Sequence, residues 1–183
     1  MFEELRLEGV LGSSRLVCAD GIMASAVRST HEGSTMPSDN PLVGTWRLLS
    51  WENRDVSGGE VIHPLGEDAL GYIMYGQDGR MSVAIARADR AGFAAGDLLG
   101  GSAEERAHAA ETYVSYCGTY EWRGETVIHF VELSLFPNWV GAEQERLVEV
   151  AGDRLTLSTR PMVLGGVLRT ASLTWERVRP TEP

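Results

Sequence analysis

The sequence predicts an all-β protein, an antiparallel barrel of about eight short strands with one helix. After Leu42 the chain consists of short stretches in which apolar and polar residues alternate, and glycine-containing corners separate them. Asp78-Gly79 and Gly152-Asp153 each join two such stretches, as expected of hairpins. Sequential hairpins build an antiparallel sheet, and a closed sheet of about eight strands can hold one small ligand. A β-sandwich with the same alternation is the alternative.

The elements follow from this pattern in chain order. The helix is predicted over residues 102–116, because Ser102 can cap it, Glu104 and Glu105 lie in its first turn, and an Ala-rich stretch follows. Gly165-Gly166 marks the loop before the last strand. The strands are predicted at residues 43–52, 70–76, 80–87, 117–123, 126–134, 142–150, 154–159 and 168–178.

The chain divides into a tail and one domain. Residues 1–40 carry no sustained apolar period and are rich in Gly, Ser and Thr. We predict a disordered or poorly ordered N-terminal extension there, and a barrel domain over residues 41–180. A chain of 183 residues with 43% hydrophobic composition can bury the core of one domain without a metal or a disulfide.

Composition excludes several classes of protein. The net charge of −10 argues against a partner that is a nucleic acid or an anionic membrane. All 16 basic residues are Arg, so Schiff-base and Lys-general-base chemistry are excluded. No apolar run approaches the roughly 18 residues of a membrane span, and the acidic start predicts a cytoplasmic protein. The two cysteines and four widely spaced histidines suggest no metal site, and we expect no cofactor.

A family resemblance covers about residues 41–179. Gly44-Thr45-Trp46 on the first strand resembles the opening signature of the lipocalin superfamily, and the closer resemblance is to the small microbial lipocalin-like domain family. That resemblance implies a barrel that binds hydrophobic small molecules, in which Arg177 of the last strand packs on Trp46. Some relatives in natural-product pathways act as cyclases. The motifs that carry it further are Gly71–Tyr75, Asp78–Ser82, Tyr116–Tyr120, Ser134–Gly141, Gly152–Ser158 and Trp175–Val178.

Arg146 is the most informative candidate in the sequence. Glu143, Glu145 and Glu149 share one parity of their strand, which predicts that Gln144 and Arg146 face the barrel interior. A buried guanidinium must be paired or hydrogen-bonded. Arg146 either anchors a carboxylate, enolate or carbonyl of a ligand, or is paired structurally with Glu132 or with carbonyl groups at the rim.

The other candidates are histidine, aromatic and polar side chains on the strands. We predict catalytic roles for Arg146, His129 and Tyr120, since a histidine next to an inward arginine suits general acid–base work. The alternative for His129 is a structural residue with satisfied hydrogen bonds. The predicted substrate-binding residues are Tyr72, Met74, Tyr75, Glu132, Trp139, Gln144 and Trp175.

Two functions are compatible with these residues. The first is a cofactor-independent cyclase or isomerase in specialised metabolism, acting on a polyketide- or terpenoid-like substrate that the cavity folds into a reactive shape. The second is a non-catalytic carrier or sensor of a hydrophobic small molecule. Either way the partner is a hydrophobic small molecule rather than a nucleic acid or a membrane, and a homodimer is left open.

Overall fold

The computed structural model describes residues 40–179, and the predicted N-terminal extension lies outside them apart from Asn40. The helix α1 spans Ala103–Glu111, and a 3-10 turn spans Pro137–Trp139. The strands of this part of the chain are β1 (Gly44–Asp55), β2 (Val61–Ile62), β3 (Leu70–Tyr75), β4 (Arg80–Ala86), β5 (Tyr113–Trp122), β6 (Thr126–Ser134), β7 (Glu143–Ala151), β8 (Arg154–Ser158), β9 (Met162–Leu164) and β10 (Val167–Arg177).

Eight of these strands form a closed antiparallel barrel. Their order is β1, β3, β4, β5, β6, β7, β8 and β10, and β10 pairs back onto β1. The other two strands, β2 and β9, are short and pair with β1 and β10 respectively. The predicted barrel is therefore confirmed, and the β-sandwich alternative is wrong because the sheet has no open break between its first and last long strands.

An indole–guanidinium contact joins the first and last barrel strands. Trp46 is fully buried, and the guanidinium carbon of Arg177 lies 4.0 Å from the centroid of its ring. The Trp46 indole N–H donates to the carbonyl oxygen of Leu42 at 2.8 Å. Arg177 also donates to the carbonyl oxygens of Val43 and Pro41. A cation–π contact contributes roughly 0.5–2 kcal/mol. The expected packing of Arg177 on Trp46 is confirmed.

The helix is shorter than the sequence predicted. Ser102 caps it as expected: its hydroxyl accepts from the Glu105 backbone N–H, and the Glu105 carboxylate accepts from the Ser102 backbone N–H. The helix ends at Glu111, however, and β5 begins at Tyr113 rather than at residue 117. Tyr113 and Val114 are aromatic and β-branched, so they favour a strand, and pairing with β4 overrides the helical spacing.

The barrel strands place alternate side chains inside. The alternation of β7 agrees with the prediction, since Glu143, Glu145 and Glu149 are exposed while Gln144 and Arg146 are partly buried on the opposite face. Burial of the apolar inward side chains is what stabilises the closed sheet. They include Trp46, Ile73, Tyr75, Tyr120, Leu155 and Trp175.

Candidate functional site

The barrel interior contains a cavity of about 480 Å³. Its wall is mostly apolar, with a few polar side chains among the hydrophobic ones, which is the usual composition of a small-molecule site. The polar side chains at the wall include Tyr116, His129, Gln144 and Arg146. The apolar wall includes Trp51, Ile85, Val114, Leu157, Leu173 and Trp175.

Three buried side chains form a hydrogen-bonded chain that ends at the cavity. His129 is fully buried on β6, and its Nε2 lies 2.8 Å from the Tyr75 hydroxyl oxygen. Its Nδ1 lies 2.9 Å from the hydroxyl oxygen of Tyr116. Tyr116 and His129 line the cavity, whereas Tyr75 packs behind them against the ring of Tyr120, at 4.7 Å between centroids. Both imidazole nitrogens are therefore occupied.

The hydrogen-bond partners of Tyr75 decide which nitrogen of His129 carries the proton. Among residues 40–179 the Tyr75 hydroxyl bonds to His129 alone, and Tyr75 is 2% exposed. If Nε2 carried the proton, the Tyr75 O–H would be buried without an acceptor, at a cost of about 1–3 kcal/mol. Tyr75 therefore donates to Nε2, and Nδ1–H donates to Tyr116. The O–H of Tyr116 is then free to donate into the cavity.

Burial keeps this chain uncharged. It lowers the pKa of His129 to about 3, and the positive charge of Arg146 adds to the effect, so the imidazole is neutral near pH 7. Burial also raises the pKa of Tyr75 well above its ordinary value of 10.0. The pKa of Tyr116 is raised by burial too, although the charge of Arg146 opposes the shift. All three groups are consequently neutral hydrogen-bonding groups at physiological pH.

Arg146 brings a positive charge to the cavity wall without a carboxylate partner. Its guanidinium donates to the Gln144 side-chain oxygen and, at 2.9 Å, to the carbonyl oxygen of Glu145, both neutral acceptors. None of the ion pairs within residues 40–179 includes Arg146. Glu132, the structural partner weighed for it, is instead paired with Arg80 at 2.9 Å. Arg146 therefore remains able to bind an acceptor on a ligand.

Two tryptophans contribute differently to the wall. Trp139 follows β6 on the 3-10 turn, and its ring packs edge-on against Tyr116 at 5.6 Å between centroids. Trp175 on β10 is 1% exposed, and its indole N–H has no hydrogen-bond partner within the described residues. A buried indole N–H is usually bonded, so a ligand acceptor beside Trp175 would relieve an unfavourable state.

The structure brings together six of the predicted site residues and separates the others. His129, Trp139, Gln144, Arg146 and Trp175 line the cavity, and Tyr75 lies behind His129. Tyr120 is buried outside the lining, where its hydroxyl donates to the Gly76 carbonyl oxygen and accepts from Asn40. The binding and catalytic roles assigned to these residues stay predictions.

Three orientations inferred from the sequence need correction. Tyr72 and Met74 are 49% and 48% exposed, on the outer face of β3, because Ile73 and Tyr75 of the opposite parity take the inner face. Glu132 is also exposed, and its carboxylate is held by Arg80 on the outside of the sheet. None of the three side chains lines the cavity.

Sequence reasoning missed Tyr116. The overlong helix covered this position, so its place on β5 was not considered. The available signal was its spacing from Tyr120: residues four apart on a strand share one face, and both are buried here, with Tyr120 inward as well. An earlier strand start would have placed Tyr116 on the inner face of β5 together with Tyr120.

A closed antiparallel barrel with an apolar cavity, capped by an indole–guanidinium contact, defines the class of lipocalin-type proteins. The model of the lipocalin-like domain family matches residues 43–178, and the chain belongs to that family. The resemblance seen in the sequence is therefore confirmed.

Two further proteins resemble this chain. The 4'-hydroxy-3'-methoxypropiophenone carrier protein ppsC of Aspergillus oryzae (strain ATCC 42149 / RIB 40) is 40% identical over 91 residues, which cover 45% of this chain and 82% of that protein. The crystal structure of a lipoprotein YedD from Klebsiella pneumoniae subsp. pneumoniae MGH 78578 matches with a TM-score of 0.36 and 10% identity, over 83% of this chain and 84% of that one. A TM-score this low supports no conclusion about the present protein.

The part of the chain that the structure describes contains neither a membrane-spanning helix nor a cluster of side chains suited to a metal ion. No helix there is long and apolar enough to cross a membrane. No group of three or more His, Cys, Asp or Glu side chains within residues 40–179 is placed to hold a metal ion. The cytoplasmic location and the homodimer considered from the sequence stay predictions.

Proposed function

We propose that this protein is a carrier that binds a small aromatic ketone in the barrel cavity. The observation that carries the proposal is the Tyr116 hydroxyl, which is free to donate a hydrogen bond at the wall of an apolar cavity, close to the charge of Arg146. The carbonyl group of a ketone accepts hydrogen bonds and donates none, so it suits a site of donors. The relative from Aspergillus oryzae is named as the carrier of such a ketone.

The apolar wall suits the rest of such a ligand. An aromatic ring and a short alkyl chain would bury their surface against Trp51, Ile85 and Leu173, at about 25 cal/mol for each Å² of apolar area removed from water. The hydrogen bond from Tyr116 then fixes the orientation of the ligand and adds about 1 kcal/mol. Burial supplies most of the affinity, and the polar groups supply the selectivity for a carbonyl compound.

The proposal can be tested by comparing the ligand affinities of two tyrosine variants. Tyr116→Phe removes the hydroxyl at the cavity wall, whereas Tyr72→Phe removes an exposed hydroxyl on the outer face. Titration calorimetry with 4'-hydroxy-3'-methoxypropiophenone should show binding to the wild type and to Tyr72→Phe. Tyr116→Phe should bind about fivefold more weakly, as expected for one lost hydrogen bond worth about 1 kcal/mol. Equal affinities of all three proteins, or no binding by the wild type, would contradict the proposal.

The second candidate is the cofactor-independent cyclase or isomerase. Arg146 and Tyr116 could polarise a substrate carbonyl, and this favours the idea. The difficulty for the enzyme hypothesis is the lack of a suitable general base among residues 40–179. Both nitrogens of His129 are occupied, and taking a proton from the substrate would leave a positive charge on a buried imidazole whose pKa burial lowers to about 3. The carrier needs no such charge, so we place it first.

Hydrogen exchange next to the ketone separates the two candidates. An isomerase or cyclase of this kind removes a proton from the carbon beside the carbonyl, so in D₂O it should accelerate deuterium uptake there. The rate is measured by NMR with 4'-hydroxy-3'-methoxypropiophenone, and Tyr116→Phe serves as the control. The carrier predicts the same rate with wild type, with variant and without protein. A faster rate that requires Tyr116 would favour the enzyme.

A further inference from the structure

We infer that the cavity is an oxyanion site, and that it binds a 4-hydroxyaryl ketone as its phenolate. This inference rests on the proposed function and specifies the form of the ligand. Such a ketone is a weak acid whose phenolate shares its negative charge between the phenolic oxygen and the ketone oxygen. Either end of the molecule therefore gains from a nearby positive charge and hydrogen-bond donors.

The first support is the unbalanced charge of Arg146 at the wall. Its two hydrogen-bond acceptors, the Gln144 amide oxygen and the Glu145 carbonyl oxygen, are neutral. Tyr116 and His129 face the same part of the cavity, and neither can supply a negative charge near pH 7. An anionic ligand would therefore complete an ion pair that the side chains of residues 40–179 leave open.

The acidic residues near the opening do not cancel that charge. Glu143 and Glu145 also line the cavity at its edge, but their side chains belong to the outer parity of β7 and are exposed. Glu145 is paired with Arg160 at 2.9 Å. The hydrogen bond from Arg123 to Glu121 is the main cause of the raised pKa of Arg123, and the charges of Glu143 and Glu145 add to it. Their negative charge thus acts on Arg160 and Arg123, and neither carboxylate is paired with Arg146.

In this arrangement the phenol group of the ligand ionises when the ligand binds. The O–H bond of the phenol breaks on binding, its proton goes to the buffer, and the oxygen keeps the electron pair beside Arg146. An opposite charge within ion-pair distance lowers the pKa of an acid by about 1–3 units. At a pH about one unit below the midpoint of the free ketone, roughly a tenth of the free ligand should be ionised, against about half to nearly all of the bound ligand.

Absorption spectroscopy reads the charge of the ligand directly, because phenolates of 4-hydroxyaryl ketones absorb at longer wavelength than the phenols. The probe is 4'-hydroxy-3'-methoxypropiophenone, and its 4'-methyl ether is the matched control that cannot ionise. At a pH below the free midpoint, the wild type should shift the band of the probe to the phenolate position and release a proton. The methyl ether should bind without a shift and with an affinity independent of pH.

Variants assign the effect to Arg146. Arg146→Gln should abolish the shift to longer wavelength, whereas Arg123→Gln, which removes an arginine from the outer surface, should retain it. Binding of the probe with the spectrum of the neutral phenol would overturn this inference and leave the carrier proposal standing. A shift that persists in folded Arg146→Gln would also overturn it. Failure of both ketones to bind would overturn the inference and the carrier proposal together.

Discussion

Acid should destabilise the barrel through His129, and His129→Gln should remove this sensitivity. The folded protein keeps the imidazole neutral, with a pKa of about 3, whereas the unfolded chain protonates it near 6.5. Between these values the unfolded state binds more protons than the folded state, so the free energy of unfolding falls as the pH falls. Glutamine can still bond to Tyr75 and Tyr116 and does not titrate.

The size of the effect follows from the separation of the two pKa values. Each unit is worth about 1.36 kcal/mol, so the penalty is absent well above pH 6.5 and approaches roughly 4–5 kcal/mol near pH 3. Between about pH 8 and about pH 4.5 the wild type should lose about 2.7 kcal/mol on account of His129 alone. That is a large fraction of the stability of an ordinary domain.

Urea denaturation followed by circular dichroism measures this loss at a series of pH values. Carboxylates also titrate at the acidic end, so the quantity to compare is the difference in slope between the wild type and His129→Gln, which share every other group. NMR gives a second reading, because the resonances of the His129 ring protons should not move across neutral pH. Parallel pH profiles of the two proteins, or titration of His129 near its ordinary pKa, would refute the reasoning.

Two further substitutions test the packing of the barrel by urea denaturation. Trp46→Ala should lower the free energy of unfolding by about 3–5 kcal/mol, because a fully buried ring and its contact with Arg177 are lost. Trp46→Phe should lower it less. A near-neutral Trp46→Ala would contradict the closure of the barrel by this contact. Gly118→Ala should prevent or severely weaken folding, because its Cβ would lie 1.9 Å from the Phe130 carbonyl oxygen. Gly92→Ala has open space around it and should be nearly neutral. Equal stabilities of the two variants would contradict the close approach of β5 and β6 at Gly118.

The barrel was predictable because its turns and its alternation are local signals. Asp78-Gly79 and Gly152-Asp153 fix two hairpins, and β6 begins and ends at the predicted residues. The end of α1 was not predictable from spacing alone, because the residues after it have helical periodicity, and it is pairing of Tyr113 and Val114 with β4 that makes them a strand. Such non-local pairing leaves no trace in a short window of sequence.

The candidate site was predictable where one parity of a strand is clearly solvent-exposed. Three glutamates mark the outer face of β7, so the inward position of Arg146 followed at once. On β3 both parities carry large side chains, and a cavity role was given to Tyr72 and Tyr75 although residues three apart lie on opposite faces. The bonds of His129 to two tyrosines depend on which strands become neighbours, and the sequence does not state that.

The pairing of β1 with β10 has a consequence for biosynthesis. Arg47 and Glu176, an ion pair across this seam, are 129 positions apart, so the ribosome must have made nearly the whole domain before the two strands can meet. Trp175, which forms part of the cavity wall, is among the last residues of the barrel to emerge. A nascent chain can form its early hairpins, but it has no enclosed space for a guest until translation of the barrel is complete.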